Sequence, residues 1–221
     1  MVYGTENRRL VRAYVNLFFF FPVIYRFIRY SFGVRIHSIK FIRQRTLGRV
    51  VYLVNDKYYV KIFRDVSNRR LKDFAFISNY VRPHIGVVVP RVVVAQHAPM
   101  YACARVRGRH ITTFPADKIL KNERKIKNQV LRIIDQLQSI NVNDIPDRER
   151  FMDSMQTRTV EKPGRKKYVL AHFDLNETNL LFDKDLNVCA VIDWDTLSIA
   201  QNPETDKDIF MKYWNWYINS L

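Results

Sequence analysis

The chain has 221 residues, 48% hydrophobic and 14% aromatic, and a net charge of +16. That length and apolar content fit one substantial domain or two small lobes, and exclude a disordered or collagen-like chain. The charge is lopsided: residues 1–70 hold 15 Lys/Arg against three Asp/Glu. A basic face able to attract the phosphates of nucleotide, nucleic acid, anionic lipid or glycan therefore belongs to the first third.

The first 34 residues form a separate basic and aromatic segment. In "RRLVRAYVNLFFFFPVIYRFIRY" an apolar run from Ala13 to Tyr25 lies between arginines. The run is too short to span a bilayer and is interrupted by Pro22, and no small-residue cleavage site follows. Two readings stay open: contact with a membrane surface through residues 8–30, or a helix docked on the main body with its apolar side chains in the core. Cys103 and Cys189 lie in separate apolar runs, which predicts neither a disulfide framework nor a metal site. A reducing, cytoplasmic setting is expected, peripheral to the inner membrane face on the first reading.

From Ile36 to Phe63 the pattern is that of strands. "RVVYLV" and "KYYVKIF" are β-branched and aromatic runs separated by the turn signal Asn55-Asp56, predicting an antiparallel hairpin. "NRRLKDFAFISNYVRPHI" carries Leu71, Phe74, Phe76, Ile77 and Val81 at roughly helical spacing and should stop near Pro83. "VVVPRVVVAQ" and "MYACARV" predict two more strands, the second ended by Gly108. Residues 116–140 give the clearest helix, with Ile119, Leu120, Ile126, Val130, Leu131, Ile134 and Leu137 near the helical period and charges on the other face. Residues 141–167 predict loops with a short helix, and "DIFMKYWNWYINSL" a last helix. Strands first and helices later predict an α+β arrangement.

The chemistry concentrates in "VLAHFDLNETNLLFDKDLNVCAVIDWD", residues 169–195. If Leu180–Phe182 pairs with Val188–Ile192 around the turn at Asp183–Asp185, the open ends of that hairpin meet. The loop from Asp174 to Asn179 then lies beside Asp193. A carboxylate, an amide and a second carboxylate at one mouth are what phosphoryl transfer needs. Two oxygen ligands can hold Mg²⁺, and a separate carboxylate can orient a hydroxyl. Taken singly, His172 reads as a structural histidine, Asp174 and Asn179 as turn or cap residues, and Lys61 as a solvated strand lysine.

Taken together, "HFDLNETNLLF" and "VIDWD" resemble the aminoglycoside phosphotransferase and choline kinase-like family, relatives of protein kinases, with its His-x-Asp-x-x-x-x-Asn and later Ile-Asp-Trp-acid pattern. The resemblance implies a two-lobed protein-kinase-like fold, with a nucleotide-binding lobe over 35–107 and a catalytic, mainly helical lobe over 108–221. Because the chain runs only 26 residues past Asp195, a shortened C-terminal part is expected. By the same resemblance Asp174 is the catalytic base and His172 braces its loop. Asn179 and Asp193 are the Mg²⁺ ligands, and Asp195 assists them or the substrate. Lys61 would contact the nucleotide phosphates and pair with Asp73, Gly48 would mark the covering turn, and Arg105 and Val106 would offer backbone groups to the base. "NPETDKDI" is similar to the family's Asp-Pro-x-x-Asp element, matching at Pro203 and Asp206, with Asn202 in place of the first Asp.

The implied activity is transfer of the γ-phosphate of ATP or GTP, with Mg²⁺, to a hydroxyl of a small molecule such as a sugar, an amino alcohol or a glycan unit. A protein kinase or effector, and a non-catalytic kinase-like binding protein, are the alternatives. Nucleic acid is supported by charge alone. The acceptor and the oligomeric state are not legible.

Overall fold

The computed structural model describes residues 21–45, 49–64, 66–147 and 168–221. The chain divides into two compact units, one of Met1–Ala75 and Arg91–Arg105, the other of Phe76–Pro90 and Val106–Leu221.

The first unit is built on a five-stranded antiparallel sheet of order β1-β2-β3-β5-β4. Its strands are β1 (Ile39–Arg45), β2 (Arg49–Val54), β3 (Tyr58–Phe63), β4 (Val92–Val94) and β5 (Met100–Ala104). The β2–β3 hairpin forms as the turn signal predicts, because Asn55 and Asp56 both take positive φ, 53° and 54°, as a tight primed turn requires. Strand alternation then gives the sheet two different faces. Val50, Tyr52, Val54, Val60, Ile62, Met100 and Ala102 are buried together with Ile24, Phe27 and Ile28. These last three come from a helix, α1 (residues 21–32). Their i, i+3, i+4 spacing puts them on one side of it, so the inward side of α1 is docked on the sheet; residues 8–20 lie outside the described residues. Burial within this cluster pushes the Tyr52 phenol up to about 12.

The opposite face carries the row Val51, Lys61 and Tyr101, which are partners across β2, β3 and β5. Helix α2 (Asn68–Val81), whose residues through Ala75 belong to this unit, packs there: the rings of Phe74 and Tyr101 are 5.3 Å apart. The single run expected at "VVVPRVVVAQ" is divided. Val88 makes only an isolated bridge to Ala190, and β4 begins after Pro90, which has no N–H to give a ladder.

Among the described residues the second unit takes in the end of α2, the helices α3 (Ala116–Lys121), α4 (Glu123–Ser139) and α5 (Thr205–Ile218), and short strands β6 (Arg109–His110), β7 (Val169–Ala171), β8 (Leu180–Phe182), β9 (Val188–Val191) and β10 (Ser198–Ala200). The helix expected over 116–140 breaks at Asn122, whose side-chain amide bonds Lys118 O at 2.9 Å and whose backbone leaves the helical region at φ −107°, ψ 8°. Competition by an Asn side chain for its own backbone is the physical reason. β8 and β9 pair antiparallel, as expected. β7 joins β10 instead, Ser198 lying opposite Ala171 and Ala200 opposite Val169. β6 adds to β8 at Gly108, which sits at φ 143° with no room for a side chain. A Cβ there would lie 2.7 Å from Leu181 Cβ and 2.9 Å from Cys189 Sγ. Both cysteines are free thiols.

Candidate active site

The second unit gathers His172, Asp174, Asn179 and Asp193 through short backbone ties. The β8–β9 hairpin closes with Ile192 N–H donating to Asn179 O at 2.9 Å, so Asp193 begins one residue after a group bonded to Asn179. Asn179 Nδ2 donates to Asp174 O at 2.7 Å and to Asp174 Oδ2 at 2.9 Å. Asn176 Nδ2 donates to Asp174 Oδ1 at 2.8 Å. Each carboxylate oxygen of Asp174 thus accepts from one amide, which fixes the rotamer of a half-buried acid. With its nitrogen spent on Asp174, Asn179 keeps its amide oxygen for a cation.

Asp193 sits in the left-handed region at φ 61°, ψ 50° and starts the tight turn Trp194–Thr196, on which Asp195 is half-buried. Thr196 Oγ1 returns to His172 O at 2.6 Å. His172 is fully buried, its ring 4.6 Å from that of Trp194 and steeply tilted to it. Its Nε2 lies 3.2 Å from Ile192 O. A carbonyl can only accept, so Nε2 carries a proton toward Ile192 O. Burial pulls His172 below its ordinary value, against the opposing charges of Asp206, Asp174 and Asp193.

Two features were not foreseen from the sequence. Asp206, on the first turn of α5, is fully buried, and its carboxylate accepts from His172 N–H at 2.7 Å and Phe173 N–H at 2.9 Å. Burial raises Asp206, while His172 and the two N–H groups lower it in part. Phe173 is itself in the left-handed region, φ 61°, unfavourable for a bulky L-residue. The only sequence signal was the match of Pro203 and Asp206 to the family element. Asn202, where the family has Asp, still opens the turn into α5: its Oδ1 accepts from Glu204 N–H at 3.0 Å and its carbonyl from Thr205 Oγ1 at 2.8 Å.

The nucleotide-side candidates of the first unit are placed as follows. Lys61 is buried on β3, with Nζ 5.5 Å above the Tyr101 ring. Asp73 is buried on α2, next to the Phe74 that packs on the same Tyr101. A lysine and a carboxylate buried on one face require mutual or other compensation, so the solvated-lysine alternative does not hold. Arg105 donates its backbone N–H to Lys57 O at 2.7 Å, which leaves its carbonyl. Val106 begins the next stretch of the second unit. Gly48 lies outside the described residues.

Among the described residues no group of three or more His, Cys, Asp or Glu is placed to hold a metal ion. Asn179 and Asp193 offer oxygen only, which suits Mg²⁺, a cation that binds through one or two carboxylates and keeps its waters.

Comparison with known proteins gives this geometry a class. Residues 115–201 match the phosphotransferase enzyme family. Among solved structures, a GDP complex of a mutant aminoglycoside 2'-phosphotransferase-IIIa superposes with a TM-score of 0.64 at 14% identity, over 88% of this chain and 79% of that one. A streptomycin–ATP complex of aminoglycoside phosphotransferase APH(2'')-IIa gives 0.62 at 15% identity, over 83% and 73%. Macrolide 2'-phosphotransferase type I gives 0.59 at 14%, over 90% and 78%. No curated protein matches the sequence. The fold is therefore the two-lobed, α+β, kinase-like fold of these phosphotransferases. The chain resembles the aminoglycoside phosphotransferase-like family, most directly over 115–201.

Proposed function

We propose that the chain transfers the γ-phosphate of ATP or GTP to a hydroxyl of a small molecule. The observation that carries this is the pair of hydrogen bonds from Asn179 Nδ2 to Asp174, together with that from Ile192 N–H to Asn179 O. It supports a site in which the Asp174 carboxylate, the Asn179 amide oxygen and Asp193, next after Ile192, act together. Mg²⁺, when bound, would supply charge neutralisation on the nucleotide phosphates. Asn179 and Asp193 would hold it, with Asp195 beside them.

Asp174 orients the acceptor O–H and takes its proton as oxygen bonds to the γ-phosphorus and the bond to the β-phosphate oxygen breaks, releasing the nucleoside diphosphate. Its two amide partners hold the carboxylate in place before the acceptor arrives, which is the positional contribution expected of such a site. His172 stays neutral and braces the loop through Ile192 O. Lys61, held by Asp73, meets the α/β-phosphates, and the carbonyl of Arg105 and the backbone of Val106 serve the base. The GDP and ATP complexes among the structural neighbours support a nucleotide as donor. The acceptor class follows from the fold by analogy alone.

The test is consumption of ATP and GTP with Mg²⁺ by the wild type and Asp174→Ala across a panel of sugars, amino alcohols, glycan units and a protein substrate. Small-molecule-dependent turnover lost in the variant supports the reading. Turnover only on the protein substrate would make the chain a protein kinase. No turnover and no Mg²⁺-dependent nucleotide binding would make it a kinase-shaped binding protein.

A further inference from the structure

Helix α1 has an outward side that the sheet does not cover. Tyr30 is 86% exposed, Phe21 43% and Val23 38%, and Arg26 and Arg29 are exposed with them. Residues 21–40 contain four Lys/Arg and no Asp or Glu. At the helical period Val23, Arg26, Arg29 and Tyr30 share that outward side, and basic and aromatic side chains there, on a helix docked by its other side, are the composition of an interfacial helix.

A second, independent feature adjoins it. Gly33, at φ 67°, ends α1 with its N–H on Arg29 O at 2.9 Å, and the chain then crosses the β2–β3 turn. Asn55 pins that crossing: its Oδ1 accepts from His37 N–H at 2.7 Å and Ser38 N–H at 3.1 Å, and its Nδ2 donates to Arg35 O at 2.6 Å. The result is an open cavity of about 480 Å³ whose lining includes Arg35, His37, Ser38, Asn55, Lys57 and Tyr58. Among the described residues no carboxylate lines it. The nearest in sequence, Asp56, is bound by Lys40 at 2.9 and 3.1 Å. The cavity therefore presents a guanidinium, an ammonium, an imidazole and two hydroxyls on a backbone already fixed, which suits a phosphate-bearing group. Its wall Tyr58 packs in a tilted contact on Phe32, the last residue of α1, at 4.3 Å, so the cavity adjoins the C-terminal end of the helix.

We infer that this surface binds an anionic lipid bilayer, the cavity at Arg35, His37 and Lys57 taking a lipid phosphate headgroup while Tyr30 and Val23 enter the interface. The chain attaches peripherally: among the described residues no helix is long and apolar enough to cross a membrane. The inference does not depend on the phosphotransfer reading, since none of these side chains is assigned a role in it.

The test is co-sedimentation of the full chain with vesicles of phosphatidylcholine alone or mixed with phosphatidylglycerol. The wild type should bind the mixed vesicles and not the neutral ones. Arg35→Glu with Lys57→Glu should lower that binding at least about tenfold, and Tyr30→Ser should weaken it separately. Thermal melting and circular dichroism, unchanged in these variants, show that they fold. Equal binding to both vesicle types, binding unaffected by the Arg35 and Lys57 changes, or no binding to either overturns the inference. So does displacement from mixed vesicles by millimolar inorganic phosphate at constant ionic strength, which would assign the cavity to a soluble ligand. Preference for a short RNA over the mixed vesicles would overturn it too, assigning the charge to nucleic acid.

Discussion

Asp206 holds Phe173 by its backbone: the buried carboxylate accepts the Phe173 N–H at 2.9 Å while Phe173 sits at φ 61°. The left-handed backbone costs about 1–2 kcal/mol for such a residue, and it turns the chain from β7 into the Asp174 loop. Asp206→Ala strands two buried N–H groups, those of His172 and Phe173. A loss of about 2–6 kcal/mol is expected, read by chemical denaturation, with turnover falling further than folded fraction. Asp206→Asn keeps one accepting oxygen and should fall between the two. Equal stability of all three proteins would refute the strap.

Binding and chemistry should separate along Asp174 and Asp193. Asp174→Ala is expected to cut turnover by about 10²–10⁴ with nucleotide affinity nearly unchanged. Asp193→Ala should instead lower nucleotide affinity at least about tenfold and abolish its dependence on Mg²⁺. Titration calorimetry with and without the cation distinguishes these outcomes, and the opposite pattern would exchange the roles given to the two acids.

Gly108→Ala brings a methyl to within 2.7 Å of Leu181 Cβ and 2.9 Å of Cys189 Sγ at a backbone angle that L-residues rarely adopt. Overpacking of this kind costs about 1–3 kcal/mol. Cys189→Ala removes one of the two clashes, so the double variant should regain part of the loss. A Gly108→Ala melt identical to wild type would show that β6 can shift freely.

His172 makes stability depend on pH in a defined direction. Its folded value lies below the ordinary 6.5 because burial penalises the cation. Below 6.5 the unfolded chain therefore binds more protons than the folded one, and stability falls as pH drops toward the folded value. Asp206, raised by burial, acts in the opposite sense above its ordinary value of 3.8. Between about pH 7.5 and about pH 5.5 the wild type should lose melting temperature, and His172→Gln should lose less. Parallel curves would mean that His172 is not the titrating group.

How far the sequence reveals this molecule depends on distance along the chain. The β8–β9 hairpin and the meeting of Asp174, Asn179 and Asp193 follow from two apolar runs and one turn within 27 residues. The strap from Asp206 to His172 and Phe173 spans more than 30 residues, and the sequence marks Asp206 only as a match to the family's Asp-Pro-x-x-Asp element, with no partner indicated. The β7–β10 pair is equally hidden, since three residues on each side carry too little pattern to identify a partner. Positive φ at Phe173 has no sequence signal, because no glycine marks it. On α1, the phenylalanine-rich run blurred the period, and only the structure separates Ile24, Phe27 and Ile28, which are buried, from Tyr30, which is not.

The placement of the three tryptophans gives the protein a built-in optical readout. Trp194 is buried, follows Asp193 directly, holds Val191 O through Nε1 at 2.8 Å and stands beside His172. Trp214 is wholly buried, whereas Trp216 is 68% exposed. A soluble quencher should therefore remove the Trp216 emission and leave a signal from Trp194 and Trp214. A cation or nucleotide bound at Asp193 is expected to change the field at the adjoining Trp194, which the intensity surviving quenching in unlabelled protein, with and without Mg²⁺–ATP, would read.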